Sequence, residues 1–240
     1  MTPKADIIVV GHRGWRAAYP ENTAAGFEAA IAVGADVLEC DIHMTADREC
    51  AVIHDETVDR TTDGSGPVSG KTLAELKRLD AGSWFAPRFA GERLLSLEEL
   101  VELARGRAGL AVELKDERPE IIPLVAGALE GFPGRLVVHS FHAELVRGFK
   151  KAHPEFKTGL LVSKADRESG ELAVDLGCDA IHPGWWQLTP ELMEGYRSLG
   201  LETMVWTAKD RAECERLAAF EPDAIGTDCP DELLDVLGRR

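Results

Sequence analysis

Short β-rich runs alternate with helical stretches along nearly the whole chain, and this alternation limits the possible folds more than any other feature. The candidate strands are Ile7–His12, Val37–His43, Gly109–Lys115, Arg135–Phe141, Lys157–Ser163, Asp179–Pro183, Glu202–Thr207 and Asp223–Asp228. Eight such units in 240 residues fit an α/β fold of the (β/α)8 TIM barrel type, typically about 250 residues long. An open, doubly wound parallel sheet is the alternative.

Helix ends support the alternation. Asn22 is expected to cap a helix from Thr23 to Val33, which Gly34 would end. Thr189 before Pro190 marks the start of a later helix. No second domain is required, so we interpret residues 1–240 as a single barrel domain.

A ninth strand-like run, Cys50–His54, follows the second strand too closely for a parallel crossover. We expect it to return antiparallel, as a hairpin that carries His54 back toward the barrel mouth. Many Gly and Pro residues interrupt the following stretch, where two capping boxes start helices at Thr72 and Ser96. Because long connections are often functional, we interpret about 46–96 as an insertion over the site.

Composition excludes several classes of partner. The formal net charge of −15 argues against nucleic acid, although a small phosphorylated ligand responds mainly to the local field of its pocket. The five cysteines are scattered, which indicates reduced thiols in a cytoplasmic protein and no zinc site. The N-terminus shows no signal-peptide core, and no apolar stretch approaches the ~20 residues of a membrane helix. The sequence does not indicate an oligomeric state.

Three acidic residues occupy strands where apolar residues are expected. Glu39 and Asp41 are two residues apart on one strand and therefore project from the same face, and Glu113 lies on the next strand of the predicted barrel. Such close carboxylates require a cation or a proton. An all-oxygen set favours a divalent cation, Mg2+ or Ca2+, over zinc. Ordinary salt bridges to Lys or Arg are the alternative for each acid.

Histidines His12 and His54 are the candidate acid–base pair, because an imidazole near its neutral pKa can serve in either role. Each alone could equally be structural, but the hairpin would bring both to the same mouth. Arg13 offers a planar fork for phosphate oxygens, and Lys115 a point charge that could instead pair with Glu113 or Asp41. Trp206 could stack on substrate or fill the core.

The motifs resemble those of the glycerophosphodiester phosphodiesterases. The resemblance rests on GHRGWRAAYPENTAAGFEAAIAVGADVLECDIHMTAD and VIHDETVDRTTDGSG, and continues through TLAELKRLDAGSWF, LLSLEELVEL, VELK, VWT and IGTDCP. It implies a phosphodiesterase barrel in which His12 and His54 are the acid–base pair. Further matches are metal ligands (Glu39, Asp41, Glu113) and phosphate- or substrate-binding residues (Arg13, Lys115, Trp206). Ala208 and Lys209 follow VWT, where the family often has Val-Asn.

The expected reaction is hydrolysis of a small glycerophosphodiester to glycerol 3-phosphate and an alcohol. The residues leave open which histidine is the acid, and whether water or a glycerol hydroxyl attacks phosphorus. One alternative is lysophospholipase D or phosphoinositide phospholipase activity, for which the aromatic residues around Trp84 and Trp185 would provide the lipid surface. The other is a non-catalytic barrel that binds phosphate esters.

Overall fold

A ring of parallel strands forms the centre of the molecule. The structure, a computed structural model, describes residues 6–240. Its strands are β1 (Ile8–His12), β2 (Val37–Met44), β3 (Cys50–Val52), β4 (Gly109–Leu114), β5 (Leu136–Ser140), β6 (Lys157–Val162), β7 (Ala180–Pro183), β8 (Glu202–Ala208) and β9 (Ala224–Thr227). All except β3 pair in parallel, and β1 pairs with both β2 and β9. This closed ladder confirms the (β/α)8 barrel and excludes the open sheet.

Helices follow the strands around the outside of the barrel. They are α1 (Ala24–Val33), α2 (Leu73–Leu76), α3 (Leu97–Ala104), α4 (Ile121–Leu129), α5 (Ala143–Ala152), α6 (Arg167–Asp175), α7 (Pro190–Ser198), α8 (Arg211–Ala218) and α9 (Pro230–Val236). Within residues 6–240, none is long and apolar enough to span a membrane. The expected absence of a signal peptide concerns in part residues 1–5, which lie outside the described residues.

Strand alternation separates the main core from the barrel interior. On β2, Leu38, Cys40 and Ile42 pack into the apolar layer between strands and helices. The residues between them, Glu39 and Asp41, therefore face the opposite side, into the barrel. The β2 sequence thus stabilises the fold with one face and places two carboxylates inside with the other.

The start of α1 corrects one expectation. The N-cap is Thr23, whose hydroxyl accepts a hydrogen bond from the Gly26 N–H at 3.3 Å, so the prediction of Asn22 as cap was wrong by one residue. Asn22 has a left-handed backbone with φ of 56°, and its side-chain amide donates to Asp41 Oδ2 at 2.9 Å. A residue type that commonly caps helices is here directed into the barrel. Gly34 ends α1 in the left-handed conformation, as predicted.

Residues 45–96 connect β2 to α3 and confirm an inserted segment after the second strand. β3 returns antiparallel along β2, with Ile42 opposite Val52, as the short spacing predicted. Both capping boxes are present, at Thr72 and at Ser96. The segment forms a second apolar cluster of its own, which consists of Ala51, Ile53, Val58, Val68, Leu76, Ala81 and Leu94. The position of this segment therefore depends on this cluster as well as on Cys50 and Val52, which pack into the main core.

Candidate active site

A cavity of about 300 Å³ lies at the carboxyl ends of the barrel strands. Its polar and aromatic lining comprises His12, Arg13, Arg16, Glu39, His54, Glu113, Lys115, His139, Phe141, Trp206, Thr207 and Lys209. Seven of the eight residues singled out from the sequence belong to this lining. The eighth, Asp41, is fully buried and forms ion pairs with Arg13 and Lys115.

The three acids converge. Glu39, Asp41 and Glu113 each place a carboxylate oxygen within 4.8 Å of the others, and all three are buried. Strand register brings about this meeting, because Asp41 on β2 lies opposite Glu113 on β4. Oxygen atoms at these separations can share one cation.

Burial and mutual repulsion disturb the ionisation of this cluster. Burial and then the charge of Asp41 raise the pKa of Glu113 to about 7 and that of Glu39 well above its ordinary 4.5. Burial also opposes ionisation of Asp41, but Arg13 and Lys115 outweigh it and hold the pKa of Asp41 below its usual range. The cluster therefore binds protons near neutral pH, which a divalent cation would replace.

Two basic side chains, Lys115 and Arg13, form ion pairs with these acids. Lys115 Nζ lies 2.7 Å from Glu113 Oε1 and 3.5 Å from Asp41 Oδ1, so the salt-bridge alternative for Lys115 exists alongside its place in the cavity wall. Arg13 Nε lies 3.2 Å from Asp41 Oδ2, and its backbone N–H donates to Glu39 Oε2 at 3.0 Å. Among the described residues, Asp41 Oδ1 is buried with no hydrogen-bond partner. An oxygen in that state has the capacity to bind a further positive ligand.

A tight turn holds Arg13 in position. Its φ of 55° is left-handed, a conformation that non-glycine residues adopt rarely. Gly14 follows with φ of 89°, and a Cβ there would lie 2.6 Å from the backbone carbon of Gly26. The turn after β1 therefore requires glycine at position 14, which explains part of the GHRG motif physically.

His12 has an aspartate partner. Its Nδ1 lies 2.6 Å from Asp228 Oδ1, across 216 residues of sequence. Arg16 donates to the other oxygen of Asp228 at 3.1 Å. Burial lowers the pKa of His12 below 6.5, in opposition to the hydrogen bond that its ring donates to Asp228. We call these three residues the His12 arm.

His54 shows the same arrangement on the inserted segment. Its Nδ1 lies 2.6 Å from Asp55 Oδ1, and Arg60 Nε donates to Asp55 Oδ2 at 2.6 Å. His43 Nε2 lies 3.1 Å from the carbonyl oxygen of His54, which fixes the backbone there. Burial lowers the pKa of His54 below 6.5. His54, Asp55 and Arg60 form the His54 arm.

Trp206 forms part of an aromatic wall. Its indole N–H donates to the carbonyl of His182 at 2.7 Å, which fixes the ring. Phe141 and Trp186 meet that ring nearly edge-on, with centroid distances of 5.6 and 5.5 Å. Trp186 and Phe141 are 53% and 38% exposed, so this wall presents apolar surface at the cavity mouth.

The sequence interpretation assigned no role in the site to six residues that the structure connects to it, and expected one of them, Asn22, to cap a helix. They are Arg16, Glu21, Asn22, Asp55, Arg60 and Asp228. Arg16 lies in GHRGWR, Glu21 and Asn22 lie in PENT, Asp55 and Arg60 lie in HDETVDR, and Asp228 lies in TDCP, all within motifs already noted. Their polarity was a weak signal, because polar residues are common in loops.

Buried carboxylates, two imidazoles and two cationic side chains at the carboxyl ends of eight parallel strands define a (β/α)8-barrel enzyme, since sites of this fold lie at that face. The chain belongs to the glycerophosphoryl diester phosphodiesterase family, whose sequence model matches residues 12–232. This membership confirms the family resemblance and the expectation of a phosphodiester hydrolase.

Individual relatives agree. A glycerophosphodiester phosphodiesterase of Caldanaerobacter subterraneus subsp. tengcongensis is 37% identical over 236 residues, which covers 96% of this chain and 97% of the relative. A glycerophosphodiester phosphodiesterase from Agrobacterium tumefaciens has a solved structure with 34% identity and a TM-score of 0.82, covering 95% and 99%. A phosphodiesterase from Oleispira antarctica, solved with the product sn-glycerol-3-phosphate, has 28% identity and a TM-score of 0.91, covering 96% of each chain.

Proposed function

We propose that this protein hydrolyses glycerophosphodiesters, such as glycerophosphocholine or glycerophosphoethanolamine, to glycerol 3-phosphate and an alcohol. One observation carries the proposal: two aspartate-paired imidazoles line the same cavity as Glu39 and Glu113, beside the buried Asp41. The complex of the Oleispira antarctica relative with sn-glycerol-3-phosphate supports this choice of product.

We further propose that Glu39, Asp41 and Glu113 hold one divalent cation, Mg2+ or Ca2+. The donor set fits, because it is all oxygen, it converges within 4.8 Å, and Asp41 Oδ1 has no hydrogen-bond partner among the described residues. When bound, the cation would neutralise charge on the phosphoryl oxygens.

Arg13 and Lys115 have the positions needed to bind the anionic phosphodiester. Both line the cavity beside the acids, and both ammonium and guanidinium groups stabilise charge that accumulates at phosphorus. The Trp206 wall would pack against the apolar carbon atoms of the substrate.

His12 and His54 would perform the proton transfers. The Nδ1 atom of each imidazole is hydrogen-bonded to an aspartate, so Nε2 is available to the substrate. One Nε2 would take the proton of the attacking hydroxyl, and the other would protonate the departing alcohol oxygen. Water and a glycerol hydroxyl both meet this scheme as nucleophiles, and trapping of a cyclic phosphate distinguishes them.

An enzyme-coupled assay for glycerol 3-phosphate tests the function. The panel comprises glycerophosphocholine, glycerophosphoethanolamine, glycerophosphoglycerol and a lysophospholipid, each with Mg2+, Ca2+ or EDTA. We expect turnover of the water-soluble diesters with a cation and none with EDTA. Saturable binding without product would instead indicate a phosphate-ester-binding barrel.

The assay with the lysophospholipid tests the second candidate function, lysophospholipase D activity. The exposed Trp186 and Phe141 at the cavity mouth favour contact with an acyl chain. A kcat/KM for the lysophospholipid above that of its deacylated counterpart would identify a lysophospholipase D. We also propose a reducing, cytoplasmic location, which the five unpaired, buried cysteines support.

A further inference from the structure

Glu21 lies in the turn between β1 and α1, outside the acid cluster, and only 4% of it is exposed. Three arginines donate to its carboxylate. Arg13 donates at 2.9 Å, Arg16 at 3.0 Å, and Arg60 through two nitrogens at 3.0 and 2.8 Å. A carboxylate with four charge-assisted hydrogen bonds is held strongly in one orientation.

Two of these arginines also hold the aspartates behind the histidines. Arg16 contacts Glu21 and Asp228, and Asp228 contacts His12 Nδ1. A single buried carboxylate therefore begins the chain of contacts that ends at the His12 imidazole.

An equivalent chain of contacts leads from Glu21 to the His54 imidazole through residues of the inserted segment. Arg60 contacts Glu21 and Asp55, and Asp55 contacts His54 Nδ1. Glu21 thus contacts both the His12 arm, through Arg16, and the His54 arm, through Arg60. It also links the inserted segment to the turn after β1.

We propose that Glu21 is a positioning residue that sets the tautomer and orientation of both imidazoles through Arg16 and Arg60. This inference rests on the proposed function, in which His12 and His54 transfer protons. An acceptor beside Nδ1 keeps a proton there and leaves Nε2 as the atom that exchanges a proton with the substrate. The aspartates can act as such acceptors only while the arginines hold them in place.

Charge supports a positioning role over a simple surface ion pair. The network balances three arginines against Glu21, Asp55 and Asp228, and its centre is buried. Removal of a central buried carboxylate leaves arginines without their partner, and they must then reorient. Both aspartates lose their fixed donor together.

The test combines three variants with nitrogen-15 spectroscopy of histidine-labelled enzyme. Replacement of Arg16 by Met should change the ring-nitrogen signals of His12 alone, and Arg60→Met those of His54 alone. Glu21→Gln should change both. Each variant should also lower kcat about tenfold or more, the scale for partners that orient a functional imidazole.

Arg107→Met is the matched control. Arg107 forms a bidentate ion pair with Glu28 on an exposed surface, so its loss removes an arginine–carboxylate pair elsewhere. It should leave kcat and all ring-nitrogen signals unchanged. Glu21→Gln also releases Arg13, so its KM should rise, whereas KM should stay within about twofold in Arg16→Met.

The inference is overturned if Glu21→Gln leaves both histidine tautomers unchanged. It is also overturned if Arg16→Met and Arg60→Met disturb both imidazoles equally, because that indicates general loosening. Where Glu21→Gln does not fold, the two arginine variants decide alone. Full turnover in His12→Ala and His54→Ala would refute the proposed function instead, while the spectroscopic result would still stand.

Discussion

The barrel and the inserted segment contribute to one cavity by different means. The barrel supplies His12 and the three acids from hydrogen-bonded strands backed by the main core. The segment of residues 45–96 supplies His54 from a short hairpin whose Cys50 and Val52 pack into the main core, while the rest of the segment has a small apolar cluster of its own.

Exposure follows this division. The side chains of His12 and Asp228 are 17% and 11% exposed, whereas those of His54 and Asp55 are 30% and 28% exposed. Similar histidine–aspartate pairs, each 2.6 Å apart, are therefore more buried on one side of the cavity than on the other. The comparison teaches that the same histidine–aspartate contact can be built with different degrees of exposure, and the following predictions examine that difference.

The largest effects should come from the histidines. His12→Ala and His54→Ala should each lower kcat by about 100-fold or more, the usual magnitude of general acid–base catalysis. Steady-state assays with glycerophosphocholine measure this, with His153→Ala as control because His153 lines the cavity at the other end of the barrel. Near-normal turnover in either variant would contradict an acid–base role for the histidine that was replaced.

A substrate with a p-nitrophenol leaving group sharpens the comparison. A good leaving group needs little protonation, so the variant that lacks the general acid should recover much of its rate. Recovery in one variant identifies the acid, and recovery in neither refutes a leaving-group role for both.

Binding of the divalent cation should depend on residues of the barrel and not on the inserted segment. Because the pKa of Glu113 is raised to about 7, a bound cation must displace its proton at lower pH. Affinity for Mg2+ or Ca2+, measured by calorimetry, should therefore rise about tenfold per pH unit between pH 5 and 7 for one displaced proton, and level off above. Glu113→Gln should weaken binding and make this dependence shallower, with the remainder due to Glu39, whose pKa is also raised. Glu117→Gln, at a side chain that is 77% exposed, should change neither. An affinity independent of pH would contradict the proposal.

A pair of core substitutions separates the two regions. Leu76 and Leu100 are both fully buried, Leu76 in the segment cluster and Leu100 in the main core. Each change to Ala should cost about 2–5 kcal/mol. In Leu76→Ala, limited proteolysis should cut residues 45–96 first and turnover should fall through His54, whereas Leu100→Ala should lower the global melting temperature. Uniform cleavage in Leu76→Ala would show that the two cores unfold together.

The smallest effect concerns the ion pair that joins the regions. Burial opposes ionisation of Glu21, but Arg60 and then Arg13 outweigh it and lower its pKa from 4.5 to about 2. The ionised group therefore stabilises the fold above about pH 4.5, and this stabilisation, on the order of 3 kcal/mol, is lost as pH falls toward 2. Denaturant titrations should show a shallower pH dependence for Glu21→Gln in that window. Parallel curves for both proteins would refute the contribution.

The sequence predicted the barrel because its regular alternation directly reflects packing. It also predicted that Glu39 and Asp41 share a face, because strand alternation is local geometry. The hairpin at Cys50–His54 followed from connection length alone, and its observed strand, Cys50–Val52, is two residues shorter. These successes all rest on short-range rules.

Long-range partners could not be predicted. Asp228 joins His12 across 216 residues, and although it lies in the IGTDCP motif, local sequence does not indicate that its partner is His12. Asn22 is a residue type that commonly caps helices, but Thr23 is the N-cap here, and the side-chain amide of Asn22 donates to Asp41 instead. Such choices depend on tertiary contacts that only the closed barrel brings together.

The pairing of β1 with β9 has a consequence during protein synthesis. Ribosomes release His12 early and Asp228 more than two hundred residues later, so a nascent chain holds an unsupported imidazole for most of its translation. Truncated products that stop before β9 lack both the last barrel strand and this carboxylate. We therefore expect activity only after β9 and Asp228 have been synthesised and β9 has paired with β1.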